Sequence, residues 1–215
     1  MENHTTIEVD HVYKSFRNVE VLKDITLTCE SGHIYGIVGH NGSGKSVLFK
    51  CICGFYGCTK GSVRIDGKTM GKDIDVLSNA GIIIEDPGYL RRWSAYRNLQ
   101  FLYTIRNRND RDYLYRVLEQ VGLDPHLKKP VGKYSLGMKQ RLAIAQAIME
   151  DPPILILDEP MNGLDREGVE QMRDLFSAKK EEGKLMLLAS HNREDIDILC
   201  DEVYQMEDGE MKRLR

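Results

Sequence analysis

The run Gly39-His40-Asn41-Gly42-Ser43-Gly44-Lys45-Ser46 sets glycines, a lysine and a hydroxyl at the spacing of a phosphate-binding loop. Glycines let backbone N–H groups turn inward around phosphate oxygens, and a helix starting near Lys45 adds the positive end of its dipole. Lys45 is then placed to neutralise β- and γ-phosphates, and the Ser46 hydroxyl to ligate Mg²⁺. Far downstream, the apolar run Ile154-Leu155-Ile156-Leu157 ends in Asp158-Glu159-Pro160, which puts two carboxylates at the carboxyl end of a buried strand. Ligands bind there in open α/β sheets. Asp158 would hold Mg²⁺, directly or through its water, and Glu159 would take a proton from an attacking water. Two carboxylates after an apolar strand are common by themselves, and the complete phosphate loop is what turns them towards hydrolysis of a nucleoside triphosphate.

Such a site needs strands to aim it. Ile34-Tyr35-Gly36-Ile37-Val38 is an apolar strand running straight into the glycine-rich turn, followed by a helix from about Lys45. Upstream, Ile7 to Val12 alternates in strand fashion, and Val21-Leu22, Ile25, Leu27 and Cys29 repeat the pattern after a polar turn, which predicts an antiparallel sheet. Ser62 to Gly67 reads as a strand and turn, and Gly81 to Ile84 as a buried strand. From Trp93 to about Met149 the spacing becomes helical. Leu99, Leu102, Tyr103 and Arg106 begin one helix, Tyr113, Val117, Leu118 and Val121 mark a second, and Leu142, Ile144, Ala145 and Ile148 a third. Ile154 to Leu157 and Leu185 to Ala189 are continuous apolar runs, the pattern of parallel strands covered on both faces, with a crossover helix from Val169 to Lys179. Glu202 to Lys212 closes as a hairpin through Asp208-Gly209. The architecture is therefore α/β with a helical insertion.

With 215 residues, 41% hydrophobic and 29% charged, the chain suits one globular domain rather than a disordered segment. A net charge of -3 offers no basic field for wrapping a polyanion, so nucleic acid is not an expected partner. Met1 to Thr6 lacks the basic start and apolar core of a signal peptide, and no apolar run reaches the length of a spanning helix, which leads us to expect a cytoplasmic chain. Five cysteines, an odd number, argue against a disulfide framework. Cys51, Cys53 and Cys58 lack a second ligand pair for a metal cluster and read as packing residues.

Between the two phosphate-site segments lies Tyr134-Ser135-Leu136-Gly137-Met138-Lys139-Gln140-Arg141-Leu142-Ala143-Ile144-Ala145. Taken alone it is a helix start capped by Ser135, with exposed N–H groups able to receive an anion. Placed where it is, it resembles the signature segment of ATP-binding cassette (ABC) proteins, whose usual form is L-S-G-G-Q before a basic amphipathic helix. Asn162-Gly163-Leu164-Asp165 is similar to the family's D-loop, and Ser190-His191 follows a strand as the family's switch histidine does. Phe16 occupies the position of the adenine-stacking aromatic, with Tyr13 as its competitor.

The resemblance runs from Ile7 to the final hairpin. It implies a P-loop NTPase (RecA-like) core with an N-terminal antiparallel β subdomain and an inserted α-helical subdomain, all in one domain spanning 1–215. The β subdomain and catalytic core would occupy about 1–85 and 150–215, and the insertion about 86–149. It also implies ATP and Mg²⁺ as cofactors, and two cassettes, identical or paralogous, arranged head to tail. Ser135, Gly137 and Asp165 would then complete the partner's ATP site, and His191 would contact the γ-phosphate and help orient water or Glu159. Transmembrane permease subunits would be driven from the inner face of the cell membrane, with the stretch from Glu85 to Tyr96, including Arg91, Arg92 and Trp93, as the docking region.

Some residues depart from the family pattern. Leu136 and Met138 replace a glycine and a glutamine, His40 replaces a proline, and Val47 a threonine. Glu85 stands where a Mg²⁺-sensing glutamine is usual; it still offers an oxygen ligand but adds charge near the triphosphate. Glu85-Asp86-Pro87-Gly88 and Tyr134 to Met138 are similar to the bacterial subgroup associated with lantibiotic immunity and bacitracin-type peptide efflux. Soluble cassette ATPases of ribosomes usually carry two cassettes, and those of chromosomes a long coiled coil; neither feature is present in this sequence. A nucleotide sensor without useful hydrolysis is the other alternative, kept open by Glu85 and Met138.

Overall fold

The computed structural model describes residues 4–85 and 87–215. In chain order the first half contains β1 (Thr6–Phe16), β2 (Val19–Glu30), β3 (Ile34–Val38), α1 (Lys45–Ile52), β4 (Lys60–Ile65), β5 (Lys68–Thr69) and β6 (Ala80–Ile83). Three helices follow: α2 (Ala95–Tyr103), α3 (Arg111–Gln120) and α4 (Leu136–Ile148). The chain then returns through β7 (Ile154–Asp158), α5 (Arg166–Glu181), β8 (Leu185–Ala189), α6 (Arg193–Leu199), β9 (Glu202–Glu207) and β10 (Glu210–Arg213).

The strands form two sheets. β2-β1-β4-β5 is antiparallel throughout, and β10-β9-β3-β8-β7-β6 is parallel except for the β9-β10 hairpin at its edge. In the antiparallel sheet the side-chain period of two puts Ile7 and Val9 on the inner face, but strict alternation would then expose Val12. A bulge between Val9 and Val12, with His11 at φ 47°, shifts the phase by one residue and returns Val12 to full burial.

Ile154 to Leu157 of β7 and all of β8 are apolar on every residue because each face has its own core. Ile154, Ile156, Leu185 and Leu187 join α1 and the antiparallel sheet, while Leu155, Leu157, Met186 and Leu188 join the helices of the opposite side. Cys29, Cys51 and Cys53 are fully buried in the first of these cores, so their role there is packing.

Two elements differ from the sequence pattern. Arg106 lies beyond the end of α2 at Tyr103, in the following turn, where its guanidinium donates to the Ser78 carbonyl at 2.7 Å. Thr104 closes the helix by turning its hydroxyl onto the Gln100 carbonyl at 2.8 Å. Helix α6 has no counterpart in the sequence reading. It is short and mostly charged, held by the Asn192 cap and by Asp195, which is 3% exposed and paired with Arg173 of α5 at 2.5 Å.

Candidate active site

The loop after β3 takes its shape from backbone that a side chain would obstruct. Gly44, the residue before α1, has φ 110°, a left-handed conformation open to glycine at little cost. A Cβ on Gly39 would lie 2.3 Å from the Met206 carbonyl oxygen of β9, so the loop can pass that strand only as glycine. Lys45 folds back over the loop, its amine donating to the carbonyls of Gly39 at 2.7 Å and His40 at 3.1 Å. His40, Asn41 and Gly42 form the exposed rim, and Ser43 is buried beneath it with no hydrogen-bond partner for its hydroxyl among the described residues. A buried hydroxyl without a partner, in a glycine-rich turn just before the N-terminus of α1, suits an oxyanion such as a phosphate.

Asp158 and Glu159 arrive from the end of β7, separated from β3 by β8. Ser46 donates its hydroxyl to Asp158 Oδ2, so an oxygen from the first turn of α1 meets one from the end of β7. Hard oxygen donors without sulfur or imidazole are what Mg²⁺ takes, and the pair fits that ion. Glu159 has φ 52°, a left-handed position disfavoured for a residue with a Cβ; its N–H is fixed by the Ala189 carbonyl of β8 at 2.9 Å. Two residues past Ala189, His191 brings Nδ1 to 2.8 Å from Glu159 Oε2.

Lys45, Ser46, Asp158 and Glu159 line a common cavity of about 610 Å³, together with Asn41, Gly42, Gly44 and Glu85. Its far wall is α4, through Leu136, Lys139 and Gln140. Ser135 caps that helix, accepting from the Met138 N–H at 3.2 Å, as its sequence position led us to expect. Gly137 packs on the Gly163 carbonyl, where a Cβ would approach to 3.0 Å. Asp165 caps α5 through the Gly168 N–H at 2.9 Å and keeps an exposed carboxylate 4.0 Å from Arg141. Ser135, Gly137 and Asp165 do not line the cavity of their own chain.

Phe16 lies at the end of β1, 39% exposed, edge-on to Tyr56 at 5.2 Å and under the Lys14 amine at 4.9 Å. Tyr13 instead faces Lys60 at 5.6 Å. Glu85 follows β6 with φ 65° and gives its carboxylate to Lys50 of α1 at 2.5 Å. Asp86 lies outside the described residues.

Sequence reasoning missed three residues here. Lys50 stands one helical turn after Ser46, a spacing that could have flagged it. Gln140 donates to the carbonyls of Pro160 at 2.7 Å and Glu159 at 3.4 Å, tying α4 to the carboxylate loop. Tyr56 reaches Phe16 through the tertiary fold, and no local pattern announces it.

A profile of the ABC transporter family matches residues 22–162. The chain is 41% identical over 207 residues to the uncharacterized ABC transporter ATP-binding protein YybJ of Bacillus subtilis (strain 168), covering 96% of this chain and 94% of that protein. It is 38% identical over 207 residues to the bacitracin transport ATP-binding protein BcrA of Enterococcus faecalis, covering 95% of this chain and 67% of that one. Among solved structures, the dimeric bacterial ABC transporter cassette MJ0796 superposes with a TM-score of 0.86 at 23% identity, over 97% of this chain and 99% of that one, a likeness of fold. The profile covers more than half of the chain, and the relatives extend along nearly all of it. The chain belongs to the ABC transporter family, as an ATP-binding cassette ATPase.

Proposed function

We propose that this chain hydrolyses ATP in the cavity at the carboxyl ends of β3, β7 and β8, as one of two cassettes that drive a separate membrane subunit. The convergence of Lys45, the Ser46-Asp158 pair and the Glu159-His191 pair on that end of the sheet carries the reading. The loop N–H groups and Lys45 hold the phosphates, and Phe16 stacks on the adenine. Ser46 and Asp158, with Glu85 close by, hold Mg²⁺, which offsets the charge of the phosphate oxygens. Glu159 takes the proton of the attacking water, and His191 fixes the carboxylate's direction while its other ring nitrogen faces the γ-phosphate.

Ser135, Gly137 and Asp165 meet the nucleotide of the second cassette, identical or paralogous, when the two close head to tail. MJ0796 provides a dimeric relative in fold. ATP would then stabilise the closed pair, and hydrolysis release it.

No helix among the described residues is long and apolar enough to cross a membrane. We place the chain in the cytoplasm, peripheral on the inner face of the cell membrane and docked to permease subunits through the stretch from Glu85 to Tyr96. Support comes from a groove of about 500 Å³ whose walls include Arg92, Trp93 and Tyr96. Buried Asn98 shapes the approach by holding both the N–H and carbonyl of Leu90, at 2.9 and 3.3 Å. The similarity to BcrA favours an antimicrobial peptide as cargo, for export or immunity.

The test is to tag the chain in its source cells, solubilise the membranes in mild detergent and identify what co-purifies by mass spectrometry. Recovery of a multi-spanning protein is expected. Recovery of only soluble partners, or of ribosomes, would overturn the transport role.

A further inference from the structure

Glu85, Asp158 and Glu159 contribute three carboxylates to the cavity wall, against the ammonium groups of Lys45 and Lys139. The wall thus carries more negative charge than those two amines offset, and a cation behind a carboxylate would lessen what Mg²⁺ at Ser46 and Asp158 must offset when a triphosphate enters. Lys50 sits behind Glu85. It is on α1, one turn beyond Ser46, with its side chain 16% exposed and its amine 2.5 Å from Glu85 Oε1. The amine also lies 5.3 Å from the centre of the Tyr56 ring, which limits where the ammonium can go. Glu85 is 70% exposed and sits on left-handed backbone, and among the described residues Lys50 is the group that gives its carboxylate a direction.

We propose that Lys50 is a positioning residue for Glu85, holding its carboxylate and offsetting its charge so that an acidic side chain can stand beside the triphosphate. The proposal rests on the ATP-site reading above. It predicts that Lys50 matters only while position 85 is charged.

The experiment is a double-mutant cycle on the full chain with Lys50→Met, Glu85→Gln and the two combined. Equilibrium binding of a fluorescent ATP analogue is measured across a Mg²⁺ series, with KM and kcat alongside. Lys50→Met is expected to weaken Mg²⁺-nucleotide affinity about fivefold in the Glu85 background, and less than about twofold when position 85 is Gln. Lys50→Arg, which keeps the charge, should stay within about twofold of the original protein. Thermal unfolding of each variant separates lost binding from lost folding, and the arginine variant keeps the test open if the methionine variant does not fold. An equal loss in both backgrounds, or no loss in either, overturns the role of Lys50 while leaving the ATP site standing. Failure of the unmutated chain to bind the analogue would remove the ATP reading and this proposal together.

Discussion

His191 Nδ1 lies 2.8 Å from Glu159 Oε2, joining two residues that follow adjacent parallel strands. The geometry is set by the sheet: Asp158 pairs with Ala189, and the Glu159 N–H donates to the Ala189 carbonyl, so the two side chains leave from neighbouring points on one edge. Glu159→Gln keeps the shape and removes the base. We expect kcat to fall by about 10²- to 10⁴-fold with ATP affinity retained. Near-normal turnover would remove Glu159 from that role.

Lys45→Ala tests the phosphate loop. The ammonium folds back against the carbonyls of Gly39 and His40, which keeps it over the loop proposed to hold the phosphates. Losing a charged donor there is expected to cost about 2 kcal/mol of nucleotide binding, more than tenfold in affinity. Equilibrium titration with ATP reads the change, and unchanged affinity contradicts the assignment.

Gln140→Leu tests how α4 is held to the catalytic edge. The amide reaches the carbonyls of Glu159 and Pro160, and Leu fills similar space without a donor. A loss of about 1 kcal/mol in stability is expected, with kcat lowered more than ATP affinity because the Glu159 loop is less constrained. Equal effects on binding and turnover would mean that the contact is only structural.

Asp195 and Arg173 form a pair whose acidic member is 3% exposed. Asp195→Ala leaves the guanidinium, whose side chain is 12% exposed, without that partner. Denaturant unfolding is expected to show a loss of about 3 kcal/mol. Glu170→Ala on the exposed Arg166-Glu170 pair serves as the comparison, with a loss under about 0.5 kcal/mol. Comparable losses from the two variants would refute the distinction.

The legible parts of the sequence are those where one local pattern has one physical solution. Ile34 to Val38 is apolar on every residue because both faces of β3 are covered, and the glycines after it admit few loop shapes, so strand, loop and helix were readable together. The same holds for Asp158 and Glu159, and for Ser135 as a cap. Helix α6 was not readable because Arg193, Glu194, Asp195 and Asp197 break up its apolar pattern; its signals were the Asn192 cap and the acidic first turn. The partners of Glu85 and Phe16 depend on how β6, α1 and the segment after α1 come together, which no spacing within a single element encodes. The end of α2 was missed because Arg106 has the right spacing for the helix, yet the Thr104 hydroxyl competes for a helical carbonyl first.

Cys58 gives a chemical test of the packing beside α1. Its thiol is lowered to about 7, first by a hydrogen bond from the Cys51 thiol and also by the nearby Lys14 ammonium, against the opposing effect of burial. Lys14 is held in place by donating to the Gly57 carbonyl at 2.7 Å. The proton on Cys51 is retained, because the bond to Cys58 and then burial push that group upward, and burial pushes Cys53 and Cys200 to about 12. A thiolate is the nucleophile, so its fraction at Cys58 should rise as pH passes through about 7 while the other four, including Cys29, which burial pushes well up, stay protonated. Iodoacetamide should therefore alkylate Cys58 first, with a rate that climbs between pH 6 and 8 and then levels. Lys14→Met should move that climb to higher pH by removing the cation. Peptide mapping over a pH series decides the matter: labelling spread evenly over the five cysteines, or a Cys58 profile unchanged in the Lys14 variant, would rule out this account of the thiol's environment.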